Sequence, residues 1–135
     1  MRYFEEIVEF TLKWEGGYTP PPDEGNYGIS QRWHPDIDVK TLTREQAIEI
    51  YRENYWFRYR CGFNPYPLSF AFFECCVNPG PLWAMEQLKV VNGDAVKLMA
   101  NRLTFYTTLG TWKTNGAGWT NRTADFLATF HDLYV

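Results

Sequence analysis

The residues best suited to chemistry lie in one stretch, "WEGGYTPPPDEGNYGIS", running from Trp14 to Ser30. Glu15 closes a run with helical spacing, and Gly16 and Gly17 follow at once. A helix C-terminus carries roughly half a negative charge from unpaired carbonyls, which disfavours an ionised carboxylate and favours its protonated form. Apolar neighbours such as Trp14 or Tyr18 would push the same way if they pack on the carboxyl. A carboxylic acid kept protonated near neutral pH is what glycoside hydrolysis needs as its general acid. Gly16 and Gly17 have no Cβ, so a bulky ligand can approach the backbone beside that acid. The plain alternative is a solvent-exposed glutamate at a frayed helix end.

A second half of such a site is present in the same stretch. Asp23 and Glu24 follow Glu15 across a proline-stiffened loop, and "GNYGIS" comes next. A carboxylate or polar side chain across a cleft from the acid would steady an oxocarbenium ion or place the attacking water. Asp23, Glu24, Asn26 and Ser30 are all candidates, and an ordinary polar turn is the alternative for each. Asn78 could hydrogen-bond a ligand's acetamido group or simply end a helix.

The elements that must hold these residues can be read from periodicity. Phe4, Ile7, Val8, Thr11 and Trp14 fall at three- and four-residue spacing, which predicts a helix over 3–15 stopped by the two glycines. Residues 18–41 have no helical period and predict a loop with a short hairpin around "NYGISQRW". Thr43 and Gln46 form a capping box, so a second helix starts near residue 44 and runs through "YWF". "LSFAFFECCVN" is apolar all round and predicts a buried helix. Pro81 suits the first turn of a fourth helix ending near Gly93, and Asp94 caps a fifth that runs to about Leu109. "GTWKTNGAGWTNR" predicts a turn-rich loop and about 121–133 a final helix. The fold expected is mainly α (α+β), with five or six helices around a buried central helix and a small hairpin lobe.

Composition narrows the class. The 135 residues suit one domain and one core. No apolar run is long enough to span a membrane, and the acidic N-terminus is unlike a secretory signal. The net charge of −3 comes with no basic patch, which argues against nucleic acid and membrane insertion. Cys61, Cys75 and Cys76 have no metal-ligand spacing and read as reduced, buried residues. His34 and His131 are isolated, so neither a metal nor another cofactor is expected. Trp112 and Trp119 could wall a sugar cleft, though core or loop packing is the simpler reading.

The same stretch resembles the signature of glycoside hydrolase family 108, the EGGY-type N-acetylmuramidases of phages and bacteria. "LTREQAIEIYRENYW", "FFECCVNPGPLWAMEQLKVVNG", "RLTFY" and "GWTNR" resemble later elements of the family in order. The loop after EGGY is shorter than the family's usual one, and Glu74 stands where the family commonly has Asp. The resemblance implies a lysozyme-like fold that cleaves the bond between N-acetylmuramic acid and N-acetylglucosamine, with Glu15 as catalytic acid. It makes Gly16, Gly17 and Tyr18 the rest of the motif; Asn26, Tyr27 and Asn78 stand beside it as candidate substrate contacts. By a looser likeness to phage-type lysozymes, Glu24 or Asp23 as the second acid and Ser30 or Asn26 as a polar partner are the candidates for the other half of the catalytic site. Glu74 is expected to serve structure by orienting backbone or the first helix. The implied partner is the peptidoglycan glycan strand, met by a monomer made in a host cytoplasm and released through a holin-type pore or carried in a virion. A lytic transglycosylase and a non-catalytic wall-binding or virion protein are the rival functions.

Overall fold

The computed structural model describes residues 2–134, and side chains over 4–131. Its first element is α1 (Arg2–Glu15), whose buried face carries Phe4, Ile7, Val8 and Thr11. A two-stranded antiparallel hairpin follows, β1 (Gly25–Asn26) and β2 (Ile29–Ser30), with Gly25 opposite Ser30. Tyr27 and Gly28 form its turn with φ of 52° and 77°, the left-handed pair that matches strand twist. Thr19 bridges to Gly25 and widens the lobe.

The remaining helices are α2 (Arg44–Tyr51), α3 (Leu68–Val77), α4 (Pro81–Val91), α5 (Ala95–Thr107) and α6 (Trp112–Tyr134). The capping box between Thr43 and Gln46 is formed in both directions. Asp94 caps α5 through the amide of Lys97 at 2.9 Å, and Pro81 occupies the first turn of α4. Past Tyr51 the second helix widens into a π-helical turn, Arg52–Phe57. Every residue from Leu68 to Cys76 is buried, so α3 is the central helix, and α1, α4, α5 and the π turn pack on it. Phe4, Trp56 and Phe73 meet edge-on or tilted on one side of the core, and Phe10, Phe70 and Phe126 on another.

One expected loop is helical. Residues 112–120, read as turn-rich because of Gly116 and Gly118, form the first turns of α6. The cause is aromatic packing. Trp119 stacks on Tyr106 of α5 with ring centroids 4.4 Å apart, and Trp112 lies 6.2 Å from Trp119. Gly116 makes room for that ring, since a Cβ there would sit 2.8 Å from Trp112. Such ring pairs contribute about 0.5–1.5 kcal/mol each, enough to offset the helix penalty of about 1 kcal/mol for a glycine.

Gly116→Ala should therefore destabilise the protein by about 1–3 kcal/mol through overpacking, although propensity alone would stabilise it. Urea unfolding of the two proteins checks the sign.

Candidate active site

Glu15 is the last residue of α1, and Gly16 takes the left-handed conformation that ends the helix, with φ of 74°. The Glu15 side chain is 19% exposed. Arg122 of α6 donates from Nη1 to Glu15 Oε1 at 2.9 Å. No protein donor reaches Oε2 among the described residues, so one carboxyl oxygen is held and the other is available. The expected apolar neighbours are elsewhere. The Trp14 indole donates to Asp125 at 2.7 Å, and the Tyr18 hydroxyl donates to Glu24 at 2.6 Å. The side chain against the carboxyl is a guanidinium.

Arg122 is itself fixed from behind. Its Nε and Nη2 donate to the two oxygens of Glu74, each at 2.9 Å. Glu74 lies on α3 with no exposure. It also accepts from Thr11 of α1 at 2.8 Å and from Arg102 of α5 at 3.2 Å. Arg102 extends the chain to the carbonyl of Asn78 at 3.0 Å. Burial alone would raise the Glu74 pKa. The charges of Arg122 and Arg102, with the hydrogen bonds from Arg122 and Thr11, outweigh it and hold the carboxyl at about 2. Burial opposes the Arg122 charge in turn, and Glu74 and Glu15 more than restore it, so the guanidinium stays charged.

The hairpin supplies the facing wall. Gly28 sits directly on Glu15, where a Cβ would come within 2.8 Å of both Glu15 Cβ and Cγ and 2.5 Å of the Tyr51 hydroxyl. Tyr51 donates that hydroxyl to the Tyr27 carbonyl at 2.7 Å. Burial pushes its phenol well above the usual range, so it remains a donor. A cleft of about 210 Å³ opens between the helix end and the hairpin, lined by Glu15, Gly17, Asp23, Glu24, Gly28 and Ser30 among others. Asp23 is exposed there and has no side-chain partner among the described residues. Glu24 is half-buried and oriented by Tyr18, whose phenol that bond raises.

The other expected contacts sit elsewhere. Asn26 is buried and donates to the Val39 carbonyl at 2.9 Å, pinning the hairpin to the turn at Val39–Thr41. Tyr27 packs its ring on the core. Neither lines the cleft. Asn78 lies at a separate hollow beyond the helix network. His34 donates from Nδ1 to the Ser30 carbonyl at 3.0 Å, and the described residues contain no cluster able to hold a metal. Arg122, Gly28 and Tyr51 were not expected. The trace in the sequence was a charge on an apolar stripe, since Trp119, Arg122, Thr123 and Phe126 share one face once α6 is read as continuous.

Residues 8–80 match the family glycosyl hydrolase 108. The chain belongs to that family. It is a glycoside hydrolase of N-acetylmuramidase type, with peptidoglycan as substrate. A solved structure similar to it is that of Brucella abortus SagA, 27% identical, covering 97% of this chain and 95% of that one with a TM-score of 0.81. Among curated protein sequences none matches. The likeness to SagA extends along nearly the whole chain and places α4 to α6, beyond the family match, in the same lysozyme-like fold.

Two outcomes test this geometry. Gly28→Ala should displace Glu15 and slow wall hydrolysis by about a hundredfold, the scale for an ångström of misplacement, with circular dichroism unchanged. The Glu74 pKa is lowered on folding from 4.5 to about 2. Its stabilisation is thus complete above pH 4.5 and is lost as pH falls toward 2, on the order of 3 kcal/mol in all. A urea midpoint equal at pH 6 and pH 3 would contradict that assignment.

Proposed function

We propose that the cleft hydrolyses the β-1,4 bond between N-acetylmuramic acid and N-acetylglucosamine, with Glu15 as general acid. The observation that carries this reading is the asymmetry of the Glu15 carboxyl. Arg122 holds Oε1, and Oε2 is left without a protein partner beside a cleft that contains two further carboxylates. Oε2 gives its proton to the glycosidic oxygen as the bond to the anomeric carbon breaks. Glu24, oriented by Tyr18, steadies the positive charge on the sugar and takes the proton of the attacking water. Ser30 offers that water a hydroxyl from the same wall. Asp23 adds negative charge at the rim.

A carboxylate and a hydroxyl across from the acid support hydrolysis over a lytic transglycosylase, which needs no placed water. No described helix is long and apolar enough to cross a membrane. The three cysteines are free and buried, which supports folding in a reducing compartment. The reading extends to a monomeric, phage-encoded enzyme that reaches the wall through a holin-type pore or from a virion.

Clearing of purified peptidoglycan should fall by about 10²–10⁴-fold in Glu15→Gln and Glu24→Gln, and much less in Asp23→Asn. Equal clearing by wild type and Glu15→Gln sinks the assignment of the acid. Mass spectrometry of the products should show hydrolysed ends; ends lighter by one water would mark a transglycosylase.

A further inference from the structure

A second hollow, of about 950 Å³, lies where the start of α4 faces α5 and α6. That is near the top of the range for ligand sites, about 300–1,000 Å³. Its walls include Trp33, Trp83, Phe105, Tyr106 and Trp119. The rings are pre-organised by one another. Trp83 lies 5.4 Å from Phe105 at 30°, and Trp119 is stacked on the buried Tyr106. Asn78 stands at the wall, its main-chain carbonyl taken by Arg102 and by the Tyr106 hydroxyl. Its side-chain amide has no partner among the described residues. None of the residues lining the hollow carries a formal charge.

These features select the ligand. Flat aromatic walls suit the C–H face of a pyranose ring, and a free carboxamide can both donate to and accept from an acetamido group. With no charged side chain in the wall, an anionic group would find no counter-ion. Shared lining residues lead from the hollow toward the Glu15 cleft. Asp23, Glu24 and Ser30 line both that cleft and the next depression, which ends at Trp33. Trp33 is 73% exposed and also lines the aromatic hollow.

We infer that the aromatic hollow is a saccharide subsite distant from the cleaved bond, binding an uncharged N-acetylhexosamine of the same glycan strand. Asn78 reads the acetamido group, and Trp33 carries the strand across from the hairpin. Its role in turnover rests on the proposed catalytic reading of the Glu15 cleft; the binding itself does not.

The test is titration of the full-length Glu15→Gln protein with β-1,4-linked N-acetylglucosamine di-, tetra- and hexasaccharides, by calorimetry and tryptophan fluorescence. Affinity should rise about tenfold or more once the oligosaccharide spans both regions, an increment of about 1.4 kcal/mol. Trp33→Ala and Asn78→Ala in the same background should each remove most of that increment while leaving disaccharide affinity and the thermal midpoint in place. Affinity independent of length, or an increment untouched by both substitutions, overturns the subsite. The two readings fail separately. If Glu15→Gln clears walls as well as wild type, the catalytic assignment falls while the length-dependent binding stands. If that variant is inactive but binds all lengths equally, the subsite falls and the acid stands.

Discussion

A carboxylate with no access to water must bring its positive charge with it. Glu74 sits on α3, where every residue from Leu68 to Cys76 is buried, and its ionisation is sustained by Arg122, Arg102 and Thr11. Those partners come from α6, α5 and α1. One desolvated group thus ties three helices to the central fourth, at contacts that tolerate little rotation. Buried ion pairs of this sort stabilise little relative to apolar packing, and removing one partner costs about 3–5 kcal/mol. What the network secures is geometry. Arg122 spends two of its five N–H groups on Glu74, and a third, from Nη1, sets the Glu15 carboxyl.

The hairpin completes the constraint from the other side. Its two-residue turn places a backbone without a Cβ on the Glu15 methylenes. Tyr51 anchors the turn from α2, and Asn26 anchors the strand from beneath. Tyr18 then sets Glu24 within the same lobe. Acid and facing wall are therefore each positioned by interactions outside the cleft, and the cleft itself needs few fixed groups of its own.

Much of this was legible because local signals agreed with one another. The period of Phe4 to Trp14, the Thr43–Gln46 box, the Asp94 cap and the unbroken apolarity of Leu68 to Cys76 each mark an element that the fold contains. The short EGGY stretch marked where the cleft would form and drew Glu15, Gly17, Asp23, Glu24 and Ser30 to it. Two things were hidden. Gly116 and Gly118 read as turn residues because the partner of Trp119 is Tyr106 on another helix, and a contact between helices leaves no local trace. Arg122 was overlooked for a related reason. Its stripe on α6 is visible only if the helix begins before the glycines, and its partner Glu74 is 48 positions away. Asn26 misled in the opposite sense, since a polar residue beside a turn looks ligand-facing until a carbonyl such as that of Val39 claims it.

The longest of these connections has a consequence for how the enzyme comes into being. Glu15 and Arg122 are separated by 107 positions. During synthesis the helix bearing Glu15 emerges well before the arginine that sets it, which arrives only with α6. A nascent chain can form α1 and the hairpin and still have no oriented acid. Under the role proposed for Glu15, competence to cut the wall is thus tied to docking of α6, however early α1 and the hairpin form.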